Sequence, residues 1–332
     1  MPHINIKKGH DIRISGKPDK NIINLNNSNI LAIMPTDFKG VKPKLMVKEG
    51  DDVRIGSPLF FDKNKPDIKW ASPGAGKIIN IEYGARRVIQ KIEISLNDKQ
   101  DSIDYKEYNR SDIVNLDRKK VLNSILEANI FPIFRQRPFN IIPDPAILPR
   151  DIFVSAVDSS PLGVDLEMVM VDEIDNFQAG IDVLNVLTEG NVYLTTKKDS
   201  VLASIQNAEI NTISGPHPAG NIGIQIHHIS HLKPGDSVWT VNSQDVLVLG
   251  KLFLNGLYDP SRVVTLGGPC VTEPGHFRIT QGATMASIIG DRLNKEDSRI
   301  ISGDVLTGRI SFLEDYISYY DYTISIISNE FL

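Results

Sequence analysis

DIFVSAV, residues 151–157, settles what kind of protein this is. Ile152, Phe153, Val154, Ala156 and Val157 form a short apolar run that ends in the turn signals of Asp158 to Gly163. Such a run is a strand buried on both faces. The residues after Gly163 alternate in kind. Residues 165–188 (DLEMVMVDEIDNFQAGIDVLNVLT) read as a helix or a pair of helices, and NVYLTT (191–196) as a second strand. SVLASIQNA (200–208) reads as a second helix and EINTIS (209–214) as a third strand. Strands alternating with helices imply a parallel sheet with both faces covered. In such sheets ligands sit beyond the carboxyl ends of the strands. Two loops occupy that place, Asp158 to Gly163 and GPHPAG (215–220).

On the N-terminal side, residues 1 to 105 read as β structure, with short apolar runs separated by Gly, Pro and Asp clusters. KPKLMVKEGDDVRIGSPLFF (42–61) and WASPGAGKIINIEYGARRVIQKIEI (70–94) look like a loose internal duplication of strand, Gly-containing turn and strand. In the second, Val88, Gln90, Ile92 and Ile94 alternate with Arg87, Lys91 and Glu93, the period of a half-buried strand. From about 106 the texture changes. Ser111 is a candidate N-cap, and Ile113, Leu116, Val121, Ile125 and Leu126 fall near helical spacing. FPIFRQRPFNIIPDPAILPR (131–150) holds five prolines, which excludes a regular helix or a central strand. From 259 the pattern is β again, with RVVTLGG, FRIT, a short helix in ATMASIIGDRL, and an aromatic then apolar stretch from 310 to the final NEFL. The expected division is therefore 1–105, 106–258 and 259–332.

Composition narrows the function. The chain has 332 residues, 41% of them hydrophobic and 23% charged, with a net charge of -5. It offers no basic surplus for nucleic acid. No run approaches the roughly 18 to 20 apolar residues of a membrane span, and the N-terminus lacks a signal-peptide core. The chain is expected on the cytoplasmic side, free or docked on a membrane complex. Cys270 is the single cysteine. One thiol can hold neither an iron–sulfur cluster nor a cysteine-rich zinc site.

Four of the seven histidines, His217, His227, His228 and His231, crowd SGPHPAGNIGIQIHHISH (214–231). Read as a strand, NIGIQIHHI places positions 227 and 231 about 13 Å apart, too far to share a metal ion. His217, between two prolines at a strand end, is the candidate ligand contact. No G-x-G-x-x-G follows the first buried strand, and neither a P-loop nor a G-x-S-x-G motif occurs in the chain. The carboxylates Asp165, Glu167, Asp172, Glu173 and Asp175 read as a solvated helix face. Arg135 and Arg137 project to one side of an extended segment. Three readings stay open there: anion binding, pairing with the carboxylates of a neighbouring subunit, or a plain surface ion pair.

KKGHDIRISGKP, KPKLMVKEGDDVRIGSPLFFDKNKPDIKWASPGAGKI, RQRPFNIIPDP, SGPHPAG and VNSQDVLVLGKLF together resemble the A subunit of the bacterial sodium-translocating NADH:quinone oxidoreductase. The likeness runs in order from residue 7 to the end. Family members continue into a further helical part, so it implies a C-terminally truncated chain. It also implies an α/β multi-domain fold: a biotinyl/lipoyl-like barrel-sandwich, a Rossmann-like domain and a β-grasp, soluble-ligand-binding module over 262–290. The family is similar to the flavoprotein subunit of respiratory complex I, whose FMN loop and iron–sulfur cysteines are missing here, so neither FMN nor a cluster is expected. Asp158, Ser159 and Ser160 stand where that relative carries an acidic loop near its flavin.

The resemblance implies a peripheral subunit on the cytoplasmic face of the inner membrane, partnered by the other subunits of the pump. It implies no redox centre in the chain itself, and ubiquinone as the ligand to consider. The expected pocket is formed by Arg135, Arg137, Phe139, Asp158, Ser159, Ser160 and His217. Two rival readings are a lipoyl- or biotin-type carrier modified at Lys63, and a metal-dependent enzyme built on the histidine loop.

Overall fold

The computed structural model describes residues 1–25, 28–294 and 297–329, so the last three residues of NEFL lie outside the described set. Two short strands open the chain, β1 (His3–Asn5) and β2 (Ile22–Asn24). Neither stays with the β structure next to it in sequence: β1 pairs with a strand near residue 212 and β2 with one near residue 277. Three-residue strands carry no periodicity that could have announced these partners.

The β-rich unit has two small sheets facing each other. One runs β3 (Ile30–Ile33), β9 (Ile89–Leu96), β8 (Gly76–Tyr83), β5 (Asp52–Val53). The other runs β4 (Pro43–Leu45), β6 (Pro58–Asp62), β7 (Lys65–Ala71). Between them Phe60 stacks on Trp70 at 4.5 Å, both fully buried beside Ile68, Ile78, Ile92 and Ile94. The face expected for β9 is offset by one residue. Glu82 pairs with Lys91 but Tyr83 with Ile89, so Gln90 is bulged out. Beyond the bulge Ile89 points inward at 8% exposure and Val88 outward at 47%. A single inserted residue reverses the side-chain alternation.

Helices α1 (Arg110–Ile113) and α2 (Arg118–Glu127) come next. The cap with a side-chain bond is Asp117, which accepts from the Lys119 N–H, and not Ser111, which lies inside α1. The proline-rich segment supplies one edge strand, β10 (Arg135–Arg137). The α/β unit then runs β11 (Ile152–Ser155), α3 (Leu166–Val171), α4 (Ile174–Leu187), β12 (Val192–Thr196), β13 (Glu209–Ser214), α5 (Ile222–Ser230), β14 (Val238–Asn242) and α6 (Ser243–Asn255). Its sheet order is β1-β13-β12-β11-β14-β10, parallel except for β10. Ile152 and Val154 share one core with α4 and α6, while Phe153 meets Ile226 and Val238 on the α5 side. Both faces are thus covered, as the apolar run demands. Helices α4 and α6 cross at glycines. A Cβ on Gly180 would sit 2.1 Å from the Val246 carbonyl oxygen, and one on Gly250 would sit 1.8 Å from that of Asn176.

Two segments of this unit depart from the sequence expectation. Residues 201–204 make only a single 3-10 turn in place of a second helix. NIGIQIHHI is the helix α5, not a strand. Its isoleucines fit either period, and Ile222, Ile226 and Ile229 at helical spacing are the ones that pack on Phe153 and Val238.

The C-terminal unit is a mixed sheet ordered β18 (Arg309–Ser311), β17 (Ser298–Ser302), β19 (Thr323–Ser328), β15 (Ser261–Gly267), β16 (Gly275–Thr280), β2. It packs with the short helix α7 (Met285–Ile289) around Leu266, Phe277, Ile324 and Ile326. Cys270 is buried in this core as a free thiol.

His276 on β16 joins three segments. The Asp19 carbonyl can only accept and the Asp165 N–H can only donate, at 2.7 and 3.0 Å from the ring nitrogens. The ring is therefore neutral, with its proton on Nδ1. Burial holds its pKa below the ordinary value, with the hydrogen bond to the Asp19 carbonyl and then the Asp165 carboxylate opposing, and Lys20 adding to the effect. An imidazolium would lose the acceptor that Asp165 needs. The unfolded chain takes up this proton first, so the contribution is complete above the unfolded value of about 6.5 and is lost as pH falls toward the folded value. Urea denaturation of the wild type and of His276→Gln across this window checks it. The wild type alone should show this extra loss, and identical pH slopes would contradict the assignment.

Candidate functional site

The strands β13, β12, β11 and β14 lie side by side in that order, so the winding direction reverses between β11 and β14. Ligand crevices in open parallel sheets form at this reversal, past the strand ends. A cleft of about 300 Å³ opens there. Ser155 and Asn242, the last residues of the two strands, are register partners and both line it. Asn242 also caps α6, its side chain accepting from the Gln244 N–H at 2.9 Å.

The edge strand β10 forms one wall. Arg135 and Arg137 pair with Thr240 and Val238 of β14, and both arginines line the cleft. Arg135 donates to the Asn140 carbonyl at 2.6 Å and lies over the Tyr320 ring at 4.1 Å. Tyr320 in turn donates to the Pro132 carbonyl at 2.8 Å. Arg137 has no side-chain hydrogen bond among the described residues. Burial, and then the charge of Arg135, hold its pKa below the usual arginine range. Ile133, Val157, Val164, Leu166 and Ile222 supply apolar lining.

Two carboxylates complete the lining, and both are engaged. Asp158 folds back to accept from the Ser160 N–H at 2.8 Å and its hydroxyl at 2.6 Å. Burial nonetheless pushes its pKa up. Asp245 is buried against Arg262 at 2.8 Å and accepts from the Tyr322 hydroxyl at 3.2 Å. The turn after β11 thus carries a carboxylate and the single glycine Gly163, where a Cβ would meet Asp158 at 2.5 Å.

Of the residues singled out in the sequence, Arg135, Arg137 and Asp158 converge on the cleft. Ser159, Ser160 and His217 stand beside it and do not line it. Ser159 Oγ lies 3.1 Å from His217 Nδ1 and accepts from the Gly220 N–H at 2.7 Å, which fastens the two loops together. Phe139 is 65% exposed and is not among the lining residues. Thr240, Asn242, Asp245, Tyr320 and Tyr322 were missed. A signal for the first three existed, since VWTVN ends an apolar run on an N-cap residue before a long apolar helix.

The histidine loop gathers no comparable set. His227 and His228 sit near the end of α5 with their rings 5.1 Å apart, and His231 caps it. Among the described residues no three His, Cys, Asp or Glu side chains are grouped to hold a metal ion. Lys63 is exposed at a two-residue hairpin tip, while Asp62 turns inward to accept from the Lys42 and Asn64 N–H groups.

Fold and cleft together define a three-part α/β protein with a crevice at a parallel-sheet switch point. Three family profiles match it in order: the NqrA N-terminal barrel-sandwich hybrid domain over residues 4–97, the NqrA second alpha/beta domain over 116–258, and the NQRA C-terminal domain over 263–311. The A subunit of the Na(+)-translocating NADH-quinone reductase of Marinomonas sp. is 36% identical over 307 residues, 92% of this chain and 69% of that protein. The corresponding subunit of Glaesserella parasuis is 34% identical over 98% of this chain and 73% of its own length. That of Vibrio atlanticus is 36% identical over 92% and 68%. The chain belongs to the family formed by the A subunits of Na(+)-translocating NADH-quinone reductases. Among solved structures, an NAD+-reducing [NiFe]-hydrogenase in the H2-reduced state aligns with a TM-score of 0.45 and 12% identity, over 65% of this chain and 48% of that one. That likeness is a loose one. Among the described residues no helix is long and apolar enough to cross a membrane.

Proposed function

We propose that this chain is a peripheral, cytoplasmic-face subunit of a sodium-pumping NADH:quinone reductase, docked on the other subunits, and that it binds quinone without carrying a redox centre of its own. The observation that supports it is the cleft between β11 and β14. A quinone head is a flat, uncharged ring with two carbonyl acceptors. It needs an apolar wall and a few fixed donors. Ile133, Val164, Leu166 and Ile222 offer the wall, and the Arg137 guanidinium, whose buried Nε has no partner among the described residues, offers N–H donors. The single cysteine, Cys270, is packed in the C-terminal core and cannot ligate a cluster by itself. On this reading the chain positions the acceptor and passes no electrons.

Titration with a short-chain benzoquinone, followed by tryptophan emission and melting temperature, tests it. The expected result is a saturable change that Arg137→Ala weakens about tenfold, the equivalent of roughly 1.4 kcal/mol. A wild-type protein with no saturable response contradicts the reading.

A further inference from the structure

We propose that Arg135 and Arg137 form an oxyanion site, so that the cleft takes a small organic molecule bearing a carboxylate or phosphate group. This rests on the cleft but not on quinone binding. The two arginines are two residues apart on one edge strand, so their side chains leave the same face about 6.6 Å apart along the chain. Neither forms an ion pair among the described residues, and the Nε atoms of both are buried without a partner.

Cations arranged like this repel each other. Both are half-buried, and leaving them side by side without an anion is unfavourable. Folded proteins ordinarily bring a carboxylate to such a pair, and two are within the same cleft. Both are committed elsewhere. Asp245 is paired with Arg262, and Asp158 is turned back onto the two donors of Ser160 and makes no ion pair with either arginine among the described residues. Two cations therefore face one carboxylate whose charge burial already disfavours. The guanidinium fork matches the spacing of two oxygens on one carbon or phosphorus. Tyr320 lies against Arg135 and fixes its plane, which leaves Arg137 as the freer donor. The apolar lining opposite would contact the body of the ligand, and the cleft volume of about 300 Å³ limits it to a compact one.

Calorimetric titration of the intact chain with phenyl phosphate, benzoate and uncharged benzamide tests this. The expected result is saturable binding of at least one anion, weakening as ionic strength rises, with benzamide binding at least tenfold more weakly. The order of phenyl phosphate and benzoate tells a phosphate ligand from a carboxylate one. Arg137→Gln should lower anion affinity about tenfold or more at an unchanged melting temperature, and Arg137→Lys should restore part of it. Should Arg137→Gln melt early, Arg135→Gln carries the same comparison. No saturable anion binding, equal binding of benzamide, or affinity unchanged in these variants overturns the proposal. The quinone reading fails separately: anions that bind while the benzoquinone does not would sink that reading and leave this one standing.

Discussion

Arg262→Met lowers the unfolding free energy by about 3–5 kcal/mol at neutral pH, the usual penalty for stranding one member of a buried ion pair. Arg262 and Asp245 are exposed by only 4% and 3% at their side chains and meet at 2.8 Å. Asp245 lies in the first turn of α6 and Arg262 near the start of β15, so the pair ties the α/β unit to the C-terminal sheet. Beside it the Gln244 amide both donates to the Val263 carbonyl and accepts its N–H, each at 2.8 Å, as a neighbouring strand would. Burial raises the Asp245 pKa, and Arg262 is the largest influence opposing that. Without the arginine the carboxyl takes up a proton, so the deficit shrinks as pH falls. Urea denaturation at neutral and mildly acidic pH measures both effects. A loss under about 1 kcal/mol would mean that the pair is solvated.

Trp239→Ala is the second large effect, about 3–5 kcal/mol, and it reaches the cleft. Trp239 is fully buried in β14 and meets Phe131 edge-on at 5.7 Å and Phe134 at 5.2 Å. Those two phenylalanines lead directly into β10. They hold the edge strand whose residues 135 and 137 form the cationic wall. Removing the indole leaves a cavity under that wall, and among the described residues β14 is the one named strand with which β10 pairs. Circular dichroism in urea should show the lost stability, and the quinone and anion titrations should weaken together in the folded variant. Unaltered binding would show that β10 is positioned without the aromatic cluster.

The chemistry of the sequence made the architecture legible where burial is continuous. Ile152 to Val154 could only be a covered strand, and the five prolines of 131–150 left room for nothing more regular than an edge strand. It was silent where the deciding contact is distant. His3–Asn5 and Ile22–Asn24 are too short to show a face, and each completes a sheet whose other strands come more than a hundred residues later. The isoleucines of α5 satisfied two periods at once, and only the apolar surface of Phe153 and Val238 selects the helical one. At the cleft, Asp158 stands out in the sequence as a charge in a loop at an expected strand end, and Arg135 and Arg137 as two guanidinium groups two apart in an extended segment; all three line it. Tyr320 and Tyr322 do not stand out, since they come from the far end of the chain. Ser159 and His217 occupy the expected loops, but they turn toward each other.

On the reading proposed here the chain shapes and binds, and it passes no electrons itself. The electronic absorption spectrum of the full subunit, freshly isolated from membranes, tests that most directly. The predicted spectrum is protein absorption alone, with no flavin or iron–sulfur band in stoichiometric amount. A visible band corresponding to one such centre per chain would contradict it.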